Sequence, residues 1–255
     1  MTLSKKQILD WYQELGVDCF LNTKPQCRVE ALQKGLSNKL NNTHYSHNTS
    51  PAEIARKLAN ECNQLVELRE SITNFNYLDV KKGATNTVFA DGNQESDIML
   101  IGEAPGINED KFGVPFCGQS GKLLDNILSA IQINRTQCYI TNVMFWRPPC
   151  NRRPTRDEIS ICKPFVEKHI SLIKPKILIL VGSTAVESLL NLKTSMGQLR
   201  KQIFQYSNKY LVKCINTFVI FHPSYLLRQP SQKKNMWSDI QKIFSFYKKN
   251  ISVTK

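Results

Sequence analysis

Ile98-Met99-Leu100-Ile101 runs directly into Gly102-Glu103-Ala104-Pro105-Gly106, an apolar tetrad ending in a turn of two glycines and a proline. Four consecutive apolar residues bounded by turn formers read as a strand buried on both faces. The glycines let the backbone bend sharply and approach a ligand, while Glu103 is left at the mouth of the strand. A carboxylate in that place either serves chemistry or caps a nearby helix, and the stretch leaves both readings open.

Outward from this strand, helices and strands alternate. Gly121 to Ile131 has helical patterning, and Cys138-Tyr139-Ile140-Thr141-Asn142-Val143 reads as a second strand. Thr155 to Ile173 is a helix opened by a Thr155/Glu158 capping box and stopped at Lys174-Pro175. Ile177-Leu178-Ile179-Leu180-Val181 is a third, continuously apolar strand. A hairpin is expected over roughly 203 to 215, a fourth core strand at Thr217-Phe218-Val219-Ile220-Phe221, and a last helix near 236 to 248. Alternation with apolar strands predicts an α/β fold, a parallel sheet covered by helices on both faces.

Upstream the texture changes. Ser4 to Leu15 reads as a short helix with Ser4 and Gln7 as a capping box and Gly16 as its stop. Residues 22 to 50 are mostly polar, and Asn41 to Asn48 looks like a linker. Ser50-Pro51-Ala52-Glu53 is a helix start, followed at helical spacing by Ile54, Leu58, Cys62, Leu65 and Val66. The expected organisation is an N-terminal helix and polar linker over 1–50 and an α/β domain over 51–255.

With 255 residues the chain can bury a sizeable core. It holds 34 Lys+Arg against 21 Asp+Glu, a formal charge of +13, which favours a polyanionic partner such as nucleic acid, although biased codon usage gives the same balance. No apolar run is long enough to span a bilayer and the N-terminus lacks a signal peptide's apolar core, so no membrane role is expected. Eight scattered cysteines read as reduced thiols of a cytoplasmic protein.

In parallel sheets ligands bind beyond the carboxyl ends of the strands. Here those ends carry Glu103, Asn142, Ser183 and His222. Each has a plain alternative: Asn142 turns the chain, Ser183 caps the next helix, His222 is a satisfied structural histidine. Their convergence is what points to a site.

These residues fall into a larger pattern. Gly102-Glu103-Ala104-Pro105-Gly106 is followed by Glu109-Asp110, by Gly113-Val114-Pro115-Phe116 and Gly118, by Ile140-Thr141-Asn142 with Arg147-Pro148-Pro149, and by His222-Pro223-Ser224-Tyr225-Leu226-Leu227-Arg228. Over roughly residues 70 to 248 the chain resembles the type 4 uracil-DNA glycosylases. The resemblance implies a three-layer αβα sandwich with a central four-stranded parallel sheet, acting as a monomer on uracil-containing DNA in base excision repair. By position, Glu103 would orient the attacking water and His222 would bond uracil O2 as negative charge develops there. Phe116 would stack on the flipped base, Asn142 would read its edge, and Gly102 would line the uracil site. Ser120, Ser224 and Arg228 would contact phosphates, and Leu226 would be the wedge filling the vacated stack; Lys233 and Lys234 are as well explained as solvated surface. A DNA-binding homologue with impaired catalysis, or a glycosylase for another deaminated base, fits the same pattern less directly.

The departures from the family are as informative. Its members typically hold a 4Fe-4S cluster on four cysteines. By alignment Phe75 and Leu78 occupy the positions of the family's Cys-x-x-Cys pair, Trp146 stands at the third, and Cys162 is the only retained ligand position. One thiolate cannot hold a four-ligand cluster, and the nearby Cys150 does not restore the pair, so no metal and no cofactor are expected. Better-known uracil glycosylases exclude the thymine methyl with a tyrosine near the place of Gly106, which glycine cannot do. The basic, histidine-containing insertion of the crosslinking branch is not found.

Overall fold

The apolar tetrad is strand β2 (Ile98–Gly102), and it lies inside a six-stranded sheet of order β1-β3-β2-β4-β6-β5. The computed structural model describes residues 49–250; the expected helix over Ser4 to Leu15 and the linker ending at Asn48 lie outside the described residues. The described residues from Ser50 onward belong to one compact unit.

Four strands are parallel and form the centre: β3 (Tyr139–Asn142), β2, β4 (Ile177–Val181) and β6 (Ile215–Ile220). Two short antiparallel strands extend it, β1 (Asp91–Gly92) on β3 and β5 (Phe204–Tyr206) on β6. The expected four-stranded parallel sheet is therefore present, with an added strand at each edge. The hairpin and the fourth core strand turn out to share one element, because β6 pairs with β5 through Ile215–Thr217 and with β4 through Asn216–Ile220.

Every residue of β2 and β4 is buried, and their two-residue alternation sorts the side chains into two cores. Met99, Ile101, Leu178 and Leu180 face one layer, built from α1 (Pro51–Glu61), α2 (Leu65–Asn74), α5 (Arg156–Ile173) and α6 (Ser183–Leu190). Ile98, Leu100, Ile177, Ile179 and Val181 face the other, built from α4 (Gln119–Ser129), α8 (Pro223–Arg228) and α9 (Lys233–Asn250). Two shorter helices, α3 (Ile107–Phe112) and α7 (Met196–Leu199), sit in the connections. Fully burying each such aliphatic side chain contributes about 1.5–3 kcal/mol, which is why an all-apolar strand is stable only between two helical layers.

The Ser50/Glu53 and Thr155/Glu158 capping boxes form as read. Ser50 N donates to Glu53 at 2.9 Å, Thr155 N donates to Glu158 at 2.8 Å, and α5 stops at Lys174 in the left-handed region before Pro175. One expectation fails. The apolar series from Ile54 to Val66 is not one helix: Cys62 is extended, and a new helix begins at Leu65 because Glu67 accepts from the amides of Asn63 and Gln64. The restart moves Val66 off the buried phase, leaving it 65% exposed. Among the described residues no helix is long and apolar enough to cross a membrane.

Candidate active site

The parallel strands end together, and their ends deliver the polar set. Gly102 closes β2 in register with Asn142, the last residue of β3. Val143 N donates to Gly102 O at 3.0 Å and Met144 N to Glu103 O at 3.2 Å, so the ladder continues past the strands and holds the two exits side by side.

The missing side chain of Gly102 is what opens this space. A Cβ there would stand 2.4 Å from Asn142 Oδ1 and 2.5 Å from Phe116 Cζ. The Asn142 amide is buried, and among the described residues no hydrogen bond engages it. An amide with both donor and acceptor capacity left open beside an aromatic ring suits a planar polar ligand.

Phe116 is held in an unfavourable backbone conformation, φ 52°, which costs of order 1–3 kcal/mol unless its surroundings impose it. They do. The Arg135 guanidinium donates to Phe116 O at 3.0 Å and to Pro115 O, while Asp125 (2.9 Å) and Asp91 balance its charge. Gly121 completes the clamp, since a Cβ on it would lie 1.7 Å from Phe116 O. The ring is thereby presented 5.7 Å, centroid to centroid, from that of His222.

His222 follows β6 and caps α8. Its Nδ1 accepts the Ser224 backbone N–H at 3.2 Å and lies 2.8 Å from Ser224 Oγ. An accepting Nδ1 assigns the proton of the neutral ring to Nε2. Burial pushes the His222 pKa down, opposed by the charge of Glu103 and assisted by that of Arg228, so the ring is neutral at pH 7 and offers an Nε2–H donor. Gly182, at φ 94°, admits the ring, its own position for a Cβ being 3.0 Å from His222 Cβ.

Glu103 does not cap a helix. Its Oε2 accepts from the Thr184 hydroxyl at 2.5 Å, and Thr184 in turn accepts from Arg153 Nε at 2.9 Å. The acid that does cap is Glu109, which takes the Gly106 amide at 3.0 Å and the Gly118 amide at 2.8 Å and so ties the loop after β2 to the start of α4. Asp110 accepts from the amides of Thr85 and Asn86 at 2.8 and 3.1 Å, anchoring the same loop from behind.

Residues 89–241 match the uracil DNA glycosylase superfamily. The chain belongs to it. A type-4 uracil-DNA glycosylase of Sulfurisphaera tokodaii is 36% identical over 185 residues, 70% of this chain and 83% of the relative. Those of Thermotoga maritima and Archaeoglobus fulgidus are 39% and 34% identical, each over 65% of this chain and 85% and 84% of the relative.

Against the glycosylase pattern, the fold brings Gly102, Glu103, Phe116, Asn142 and His222 to one end of the sheet. Ser224 is placed on His222, Ser120 is half-buried in the first turn of α4, and Arg228 is exposed at the end of α8. Leu226 is a correction: it is fully buried in the core against α4 and α9, and a side chain locked there cannot enter a base stack. The exposed leucine is its neighbour Leu227, at 44%. Ser183 is exposed and it is Thr184, one residue on, that reaches Glu103. Sequence reading also missed Arg135 and Arg153, whose contacts toward the site are to the backbone oxygens of Pro115 and Phe116 and to the Thr184 hydroxyl, which carry no motif. Glu109 was visible within its motif but not its role.

The positions where the family's cluster ligands would fall do not suit a metal cluster. Phe75 stacks on Trp146 at 6.4 Å and meets Phe165 edge-on at 5.3 Å, and Leu78 belongs to the same core. Trp146 spends its ring N–H on Thr87 Oγ1 at 3.0 Å. Cys162 is fully buried in the same core, and burial pushes its thiol up to about 12. Among the described residues no group of His, Cys, Asp or Glu is arranged to hold a metal ion.

Proposed function

We propose that this protein excises uracil from DNA by hydrolysing the N-glycosidic bond, with the five residues gathered at Gly102 as its active site. The observation that carries the reading is the open Asn142 amide beside Phe116 over a glycine that has no room for a side chain.

Extruding a base from a duplex costs a few kcal/mol. Stacking on an aromatic ring returns about 1–3 kcal/mol, and a two-point hydrogen-bonded contact to a base edge a similar amount. Phe116 and Asn142 are therefore enough to offset extrusion, with Asn142 Oδ1 accepting uracil N3–H and its NH₂ donating to O4. As the C1′–N1 bond breaks, its electron pair leaves with uracil, and His222 Nε2–H donates to O2 where negative charge collects. Glu103 faces the cation-like sugar; it orients the water that adds to C1′ and receives the proton that water loses. Fixed groups of this kind contribute about 10² to 10³ in rate. Arg228, Ser224 and Ser120 contact phosphates, and Leu227 rather than Leu226 fills the vacated stack. The packed Phe75, Trp146 and Phe165 rings hold together, without iron, the region where relatives would carry a cluster. At Gly106 no side chain guards against the thymine methyl, and the space next to it is taken by the Glu109 carboxylate.

The test is release of abasic sites from single- and double-stranded oligonucleotides containing uracil, hypoxanthine or a G·T mismatch. Uracil release that collapses in Glu103→Gln while DNA binding persists supports the assignment. Intact DNA binding with no release from any substrate would overturn it.

A further inference from the structure

Thr184 is fully buried, yet its hydroxyl stands between two charged groups, the Glu103 carboxylate and the Arg153 guanidinium. A hydroxyl has one proton to give and lone pairs to receive. Because Arg153 Nε–H fills its acceptor side at 2.9 Å, the single Thr184 proton is directed at Glu103 Oε2. The guanidinium is itself fixed from the same helix, its Nη2 bonding Glu187 at 3.0 Å one turn after Thr184. Pro154, buried and next in sequence, anchors the chain that delivers Arg153.

We infer that Arg153 and Thr184 form a positioning relay for Glu103: a directed hydrogen bond that locks one carboxylate oxygen and leaves the other to hold the attacking water. The inference rests on the role given above to Glu103 and adds two positioning residues, neither of which touches the substrate. Three features support it. Thr184 lies in the first turn of α6, which brings the Glu103 carboxylate to the N-terminal end of that helix. The hydrogen bond is charge-assisted, so it restricts rotation of the carboxylate more than a neutral contact would. The loop side of Glu103 is fixed independently, since Met144 N bonds its carbonyl; the relay supplies the remaining constraint, on the side-chain torsions.

Thr184→Val keeps the shape and removes the hydroxyl, Thr184→Ser keeps the hydroxyl, and Arg153→Gln leaves the hydroxyl free to turn. Single-turnover excision and DNA binding are measured for these variants, for the Thr184→Val/Arg153→Gln double variant and for Glu103→Gln, each checked for native circular dichroism. Loss of a hydrogen bond to a charged group predicts a fall of about ten- to a hundred-fold in the chemical step for Thr184→Val, with DNA affinity within twofold of the parent. Thr184→Ser recovers most of that loss. Arg153→Gln slows the step less, and adds nothing in the Thr184→Val background, because it acts through the same hydroxyl. A folded Thr184→Val with parental rate, a Thr184→Ser as slow as the valine variant, or an Arg153→Gln effect confined to DNA affinity overturns the relay. If Glu103→Gln is itself fully active, the role of Glu103 has failed instead, which separates the two conclusions.

Discussion

Gly102→Ala is the smallest change that addresses the uracil site directly. The added methyl carbon would stand 2.4 Å from Asn142 Oδ1 and 2.5 and 2.6 Å from two ring carbons of Phe116, whereas ordinary contacts begin near 3.4 Å. Both neighbours must therefore retreat by roughly 1 Å. Their backbones are held, Asn142 in β3 by its pairing with β2 and Phe116 by Arg135 and the close approach of Gly121, so the retreat falls on the two side chains that would hold the base. Overpacking of this kind costs about 1–3 kcal/mol of stability, which for a domain of this size lowers Tm by roughly 2–12 °C. A misplacement near 1 Å of the groups that hold a substrate costs about a hundredfold in rate, equivalent to about 2.7 kcal/mol of transition-state stabilisation.

The assay is kcat/KM for a uracil-containing single-stranded oligonucleotide, with affinity for a uracil-free oligonucleotide measured in parallel. Excision should fall about a hundredfold and the uracil-free affinity should hold, because the residues proposed to contact phosphates, Ser120, Ser224 and Arg228, lie on α4 and α8. A Gly102→Ala protein that excises uracil within twofold of the parent would refute the placement of the base between Phe116 and Asn142.

Three further outcomes are expected. Leu226→Ala should cost about 2–5 kcal/mol of folding stability, whereas Leu227→Ala should leave stability intact and slow excision from duplex far more than from single strands; equal duplex and single-strand effects would remove Leu227 from the wedge role. Protein purified anaerobically should contain no stoichiometric iron and lack the visible absorption of a cluster; four irons per chain would overturn the packing account of Phe75, Trp146 and Cys162. Stability should fall in acid through His169, which is buried against Phe89 and bonded to Tyr139 at 2.8 Å, and whose pKa burial lowers to about 3. The unfolded chain takes up a proton near pH 6.5 that the folded chain refuses until pH 3, so stability is full above 6.5 and declines below it by up to about 1.4 kcal/mol per unit. Urea unfolding at several pH values should show this slope, and a Tyr139→Phe/His169→Phe pair should flatten it; an unchanged slope would place the proton uptake elsewhere.

What could be read from the sequence follows the range of the interactions involved. β2 and β4 were legible because five consecutive buried residues are a local pattern, and the capping boxes because both partners lie three residues apart. The break at Cys62–Gln64 was not, since apolar spacing continues across it and only the Glu67 contacts to Asn63 and Gln64 restart the helix. Leu226 and Leu227 are identical in type, and which one is buried depends on where α8 lies against α4 and α9. Thr184 and Arg153 are 81 and 50 residues from Glu103 in the chain, and only the meeting of β2 with β4 and α6 makes them its neighbours.

The same reasoning explains how the packing around Trp146 bears on the site. Asn142 and Trp146 are separated by three residues, and Val143 and Met144 carry the backbone bonds that hold the exits of β2 and β3 together. Whatever fixes Trp146 therefore limits how far Asn142 can drift from Glu103. Trp146 is fixed by the Phe75 ring on its face, by Phe145 edge-on at 6.0 Å and by Thr87 on its nitrogen. Each aromatic contact contributes about 0.5–1.5 kcal/mol beyond area burial, and a cluster of them is directional as well as apolar. Phe116 and His222 are braced by other contacts, Phe116 by Arg135 and the close approach of Gly121, His222 by the space that Gly182 leaves for its ring. The aromatic cluster around Trp146 therefore steadies the side of the site that carries Asn142, while the contacts of Arg135, Gly121 and Gly182 hold Phe116 and His222.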